Sequence, residues 1–103
     1  MEIKQEQNET KGSFYYEVEG VRKAEMTYSV AGTERIIIDH TEVDDSLRGQ
    51  GVGLKLAEYA VNYVREKGIK LLPLCPFMKA TLQRHPEWKD VWWKHQHMPF
   101  LPW

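Results

Sequence analysis

Arg48-Gly49-Gln50-Gly51-Val52-Gly53 runs directly into Leu54-Lys55-Leu56-Ala57-Glu58-Tyr59-Ala60-Val61-Asn62-Tyr63-Val64-Arg65-Glu66-Lys67, and the change of rhythm between these halves sets the architecture of the chain. The first half has no period and is rich in glycine. In the second, apolar residues fall at Leu54, Ala57, Val61 and Val64, with a second row at Leu56, Ala60 and Tyr63. Those are helical spacings, and two rows make a wide apolar stripe. Glu58, Asn62, Arg65 and Glu66 take the wet side. Lys67-Gly68 closes the segment with a cation near the negative end and a glycine able to turn left-handed. A helix is therefore expected over Gly51 to Lys67, entered through a flexible, glycine-rich loop.

Upstream of this point the period is two. Phe14, Tyr16 and Val18 alternate with Tyr15 and Glu17, and Ala24, Met26, Tyr28 and Val30 alternate with charged or hydroxyl residues. Such alternation describes strands with one packed and one wet face. Glu19-Gly20-Val21 and Ala31-Gly32-Thr33 supply turns, so an antiparallel meander is expected. A third strand should cover Glu34 to Val43, with a weak edge strand near Ile3 to Gln7. Downstream, Ile69 to Cys75 reads as a buried strand whose pairing should fail at Pro73, which has no N–H to donate. A second, shorter helix is expected from Phe77 to Arg84. The fold class is α/β (α+β): a mixed sheet made of an N-terminal meander followed by helix, strand and helix. One domain over residues 1–91 is expected, with an aromatic tail at 92–103 packed on or near it.

At 103 residues, with a net charge of -1, the chain is expected to form a single unit with no overall field for nucleic acid or anionic lipid. Any anion site must be built locally. The single cysteine, Cys75, has no internal disulfide partner, which fits a reducing compartment. The first twelve residues are polar, and no apolar run is long enough to span a bilayer. The expectation is a cytoplasmic protein, with no nucleic acid or membrane partner. His85, His95 and His97 have no cysteine or carboxylate at ligand-like spacing, so no metal site is expected.

The loop Arg48–Gly53 carries the chemistry. Glycines let backbone N–H groups approach a ligand closely. The following helix leaves its first N–H groups unpaired and carries partial positive charge at that end. Together they suit a phosphate, with Arg48 as a fixed positive charge beside it. The bland alternative is a glycine-rich turn with no ligand. A dinucleotide fingerprint starting at Gly49 would need glycine where Leu54 stands, and a P-loop needs a Gly-Lys-Ser/Thr ending that is absent.

Four blocks in order, His40-Thr41-Glu42-Val43, Arg48-Gly49-Gln50-Gly51-Val52-Gly53, Pro73-Leu74-Cys75-Pro76-Phe77 and Arg84-His85-Pro86-Glu87, make the chain resemble the small YjdJ-type branch of the GNAT acetyltransferases. Arg48, Gly51 and Gly53 match that superfamily's acetyl-CoA pyrophosphate loop. The resemblance implies an N-acetyltransferase using acetyl-CoA as co-substrate and a primary amine as acceptor: a protein lysine, a polyamine or a small metabolite. It implies that the strand ending at Thr41-Glu42-Val43 splays from Ile69–Cys75, and that the pantetheine arm pairs with backbone in the gap. An oxyanion donor is implied at a backbone N–H near Glu42 or Val43. Cofactor contacts are thus expected from Glu42, Val43, Arg48, Gly49, Gln50, Gly51, Val52, Gly53, Leu54 and Pro76. Lys79 and Arg84 have about the spacing to face one side of their helix and hold coenzyme A phosphates, or to be two solvated cations.

Three side chains are candidates for catalysis. His40 and Glu42 share one face of their strand, because strand side chains repeat every two residues. Either could act as base, or His40 could be a core histidine and Glu42 a loop cap. Cys75 precedes a helix start, where a thiol is made more nucleophilic. It could protonate the departing thiolate of coenzyme A, accept the acetyl group itself, or be an inert buried cysteine. Larger GNAT enzymes carry extra elements around the acceptor, so an open and shallow acceptor site is expected here. The tail Trp92–Trp103 reads as a strap over apolar surface, or as an acceptor-site lip or dimer contact, in a protein that is monomeric or weakly dimeric. The rival functions are a non-catalytic coenzyme A or acyl-CoA binding module and an interaction domain that works through the aromatic tail.

Overall fold

Residues 1–93 are described by a computed structural model. Four strands, β1 (Lys4–Gln7), β2 (Lys11–Val18), β3 (Val21–Ala31) and β4 (Arg35–Val43), form the antiparallel meander. The β2–β3 turn uses Glu19 and Gly20, both at positive φ, 52° and 77°. That geometry matches the right-handed twist of a tight hairpin, and glycine adopts it without steric cost. A 3-10 turn at Asp45–Leu47 leads to the loop and then to α1 (Val52–Lys67). The chain returns as β5 (Lys70–Pro73), parallel to β4, and continues as α2 (Pro76–Arg84) and a 3-10 segment at Pro86–Val91. The sheet order is β1-β2-β3-β4-β5. A parallel pair needs a long crossover, and α1 is that crossover.

The core lies between the sheet and α1. Phe14, Met26, Tyr28, Ile36, Ile38 and Leu71 on the sheet meet Leu56, Ala57, Ala60, Val61 and Val64 on the helix. Phe14 stacks on Tyr28 at 4.7 Å between ring centroids. Tyr28 Oη donates to Gln7 Oε1 (2.6 Å) and accepts from Gln5 Nε2 (2.8 Å), so its buried ring ends in a satisfied hydroxyl.

Several boundaries differ from the sequence reading. The long helix begins at Val52, with Gly51 as its left-handed N-cap at φ 72°. Leu54, expected on the apolar stripe, is 43% exposed in the first turn, where Val52 and Leu56 take the buried side instead. Strand β5 is shorter than Ile69–Cys75, and α2 starts at Pro76 because proline at the first helical position loses no hydrogen bond. The third strand, expected from Glu34, begins at Arg35. Trp92 is 5% exposed and bridges to Leu71. The rest of the aromatic tail, from 94 to 103, with His95 and His97, lies outside the described residues.

Candidate active site

Strands β4 and β5 run together for four residue pairs, from Arg35 and Lys70 to Ile38 and Pro73. Beyond that both the Leu74 and Cys75 N–H groups donate to the Ile38 carbonyl, at 3.0 and 3.2 Å. The chain then turns into α2, while β4 continues alone to Val43. Pro73 is therefore the last paired residue of its strand, as its missing N–H requires. A gap opens between the free end of β4 and the start of α2.

A bulge decides what faces this gap. Tyr28 pairs with Ile38 and Thr27 with His40, so Asp39 is the extra residue. Past it, His40 and Glu42 share the sheet face of Thr27 and Glu25, while Thr41 and Val43 lie across from Met26 and Ala24. The Asp44 N–H donates to the Lys23 carbonyl at 2.8 Å. Ala24 and Val43 are thus a pair whose own N–H and C=O groups point away from each other. The Thr41 and Val43 backbone groups consequently point from β4 toward the gap.

His40 Nε2 and Glu42 Oε1 are 2.8 Å apart, with side chains 64% and 76% exposed. This pair resolves the reading of His40 as a core histidine: it is a surface residue. Glu42 does not cap the following loop either. Asp44 does, accepting from the Ser46 N–H (2.9 Å) and the Ser46 hydroxyl (2.5 Å), and these bonds hold its carboxyl below the usual range. An Asx turn two residues later was the signal for this, since Asp accepts readily from the second following N–H.

The loop is built from two different kinds of glycine. Gly49 and Gly51 have φ of 82° and 72°, and a side chain at either would meet open space. They are required by backbone conformation. Gly53 is ordinary helix, but the position of its missing β-carbon lies 2.8 Å from the Phe77 ring. It is required by packing. No side chain caps α1, and no acidic residue occupies its first turn. The N–H groups of Val52, Gly53 and Leu54 precede the first intrahelical bond, from Lys55 to the Gly51 carbonyl at 3.1 Å. The positive end of the helix is thus offered to an anion, with Arg48 alongside at 81% side-chain exposure and paired to Asp45 at 3.0 Å. Gln50 is exposed in the same loop.

Cys75 is the N-cap of α2. Its sulfur accepts from the Met78 N–H at 3.2 Å and lies 3.3 Å from Thr41 Oγ1 across the gap. Pro76 and Phe77 are exposed beside it. Lys79 and Arg84 are five residues apart, about 140° around the helix, so α2 does not aim them at one point. Arg84 lies in the last turn, away from the gap. A hollow of about 610 Å³ lies elsewhere, on the polar sheet face, lined by Glu6, Lys11, Ser13, Glu25, Thr27 and Asp39 among others. A second, of about 300 Å³, adjoins Glu42, Val43 and Asp44. Volume alone favours the first, but an anion at a helix end needs directed N–H groups more than enclosure, so the loop and gap define the candidate site.

A meander, a crossover helix with a bare N-terminus, and a parallel strand that parts from its neighbour together define the fold class. Residues 13–91 match the GCN5-related N-acetyl-transferase family, and the chain belongs to that family. It is similar over 93% of both chains, at 40% identity and a TM-score of 0.68, to a GCN5-like protein of Staphylococcus aureus solved by NMR. Protein NATD1 of Xenopus tropicalis is 30% identical over 64 residues, 62% of this chain and 59% of that protein. The chain thus spans about three fifths of the length of the curated relatives it matches. The ribosomal-protein-S18-alanine N-acetyltransferase of Escherichia coli shares the fold at 23% identity and a TM-score of 0.56, over 63% of this chain and 42% of the other. Among the described residues no helix is long and apolar enough to cross a membrane.

Proposed function

We propose that the protein transfers the acetyl group of acetyl-CoA to a primary amine. The observation that carries this reading is the adjacency of the uncapped α1 N-terminus to the gap where β4 and β5 part. One accepts a pyrophosphate, and the other presents free strand backbone to an extended pantetheine arm. Arg48 to Leu54 hold the phosphates. Glu42, Val43 and Pro76 line the path of the thioester.

In this reading the Val43 N–H, turned toward the gap, donates to the carbonyl oxygen as charge develops there. The amine nitrogen forms its bond to the carbonyl carbon, and its surplus proton passes to the His40–Glu42 pair, directly or through water. As the carbon–sulfur bond breaks, Cys75 gives its proton to the departing thiolate and is reprotonated from solvent. At 3% exposure Cys75 is better placed as a proton donor than as the acetyl acceptor. Protein lysine, a polyamine and a small metabolite amine all meet the chemistry, and the exposure of His40 and Glu42 suits an acceptor that approaches from the open sheet face.

Steady-state turnover of acetyl-CoA against a panel of amines tests this. Cys75→Ala and Glu42→Gln should each lower kcat by about 10²-fold or more, the range of general acid–base catalysis, while acetyl-CoA binding persists. Undiminished turnover in both variants contradicts these roles. Binding with no acetylation of any amine identifies a coenzyme A binding module instead. An adduct of acetyl mass on Cys75, detected by intact mass, would replace proton donation with a two-step transfer.

A further inference from the structure

The two residues that flank the sulfur of Cys75 come from two elements that have already parted. Within α2 the Met78 N–H donates to Sγ at 3.2 Å. From β4, 34 residues earlier in the chain, Thr41 Oγ1 approaches to 3.3 Å. The last backbone links between these elements are those to the Ile38 carbonyl, so the Thr41 contact reaches across the open part of the gap. Cys75 is 97% buried by difference from its 3% exposure, and a buried sulfur that changes protonation needs partners in both states.

We infer that Thr41 is a positioning residue for the transfer, acting through Cys75. This rests on the proposed proton-donor role of that cysteine. A hydroxyl carries one donor and two acceptor sites. While Cys75 is a thiol, its S–H donates to Thr41 Oγ1, which aims the proton along the gap wall. Once the proton has left, the hydroxyl reverses and donates to the sulfur anion, beside the Met78 N–H that donates in both states. No bond to Thr41 is made or broken except these hydrogen bonds, and the proton lost by sulfur goes to the leaving thiolate. Valine fills the same space and can do neither. The bulge at Asp39 is what places Thr41 here: without the extra residue, the alternation of β4 would turn Thr41 to the opposite face.

The test compares Thr41→Val, which keeps shape, with Thr41→Ser, which keeps the hydroxyl. Two readouts are used: alkylation of the sole cysteine by iodoacetamide, followed by intact mass without acetyl-CoA, and turnover of acetyl-CoA with spermidine. Thr41→Val should alkylate about tenfold more slowly at neutral pH, the scale of one lost hydrogen bond to an anion. Its kcat should fall by a similar factor with KM for acetyl-CoA within about twofold, and Thr41→Ser should recover both. Thr41→Ala replaces Thr41→Val if the latter does not fold. Alkylation of the folded valine or alanine variant at or above the wild-type rate overturns the inference. Full turnover in Cys75→Ala overturns the proton-donor reading beneath it, whatever the alkylation rates, so the two failures are told apart.

Discussion

A β-carbon placed at Gly53 would lie 2.8 Å from the Phe77 ring, and one placed at Gly12 would lie 2.3 Å from the Tyr28 ring. The two overlaps have different consequences. Tyr28 is fully buried, stacked on Phe14 and tied by its hydroxyl to Gln5 and Gln7, so it cannot yield. Phe77 is 39% exposed and can swing outward. Gly12→Ala should therefore cost up to about 3 kcal/mol in urea unfolding, the upper range for overpacking. Gly53→Ala should cost less, and in a Phe77→Ala background it should stabilise by up to about 1 kcal/mol through helix propensity. Equal costs at the two positions would show that the Tyr28 ring is not the rigid neighbour described. Spacing within the loop shows why Gly49 and Gly51 are glycines. It says nothing of Gly53, whose constraint comes from a ring 24 positions away, nor of Thr41, whose partner lies 34 positions away.

Helix α1 is fastened to the segment after α2 by Arg65. Its guanidinium donates to both Asp90 carboxylate oxygens, at 2.6 and 2.9 Å, and to the Glu87 carbonyl at 2.7 Å. The Arg65 hydrogen bond holds the Asp90 carboxyl below its ordinary value of 3.8. A depressed acid stabilises the fold fully above its unfolded value, and this contribution is lost as pH falls through the lower folded value. The side chains are 39% and 54% exposed, so solvent screening limits the pair to about 0.5 kcal/mol. Asp90→Asn should thus be less stable than wild type by that order above pH 4. The difference should shrink on acidification and with added salt, as followed by urea midpoints across pH. A difference constant down to pH 2 would assign it to packing instead. At this scale the sequence was informative where a period existed. The meander, α1 and the break at Pro73 follow from alternation, the helical stripe and a missing N–H. Pro86–Val91 has no period to read, because its order comes from Trp88 packing on His85 at 4.3 Å and from the Arg65 link.

Across the whole molecule, one crossover determines where chemistry can occur. Joining β4 to β5 through α1 brings the helix N-terminus to the end of the sheet where the two strands separate. A ligand in that crevice meets directed N–H groups and free strand backbone together. Order of elements and the glycine loop were legible from the chain alone. Which face His40–Glu42 and Thr41–Val43 each take depended on a bulge, which leaves no mark in the alternation of apolar residues because Asp39 and His40 are both polar. The central claim is that the Arg48–Gly51 loop and the α1 N-terminus bind the pyrophosphate of acetyl-CoA. Calorimetric titration of the folded protein with acetyl-CoA, repeated on Arg48→Ala and Gly51→Val, tests it most directly. The account predicts saturable binding by wild type, weakened about tenfold or more in Arg48→Ala by loss of a charged contact. Gly51→Val should weaken it as well, because a β-branched residue resists a φ of 72°. No binding by the folded, coenzyme-free wild type, or affinity unchanged in both folded variants, would contradict it.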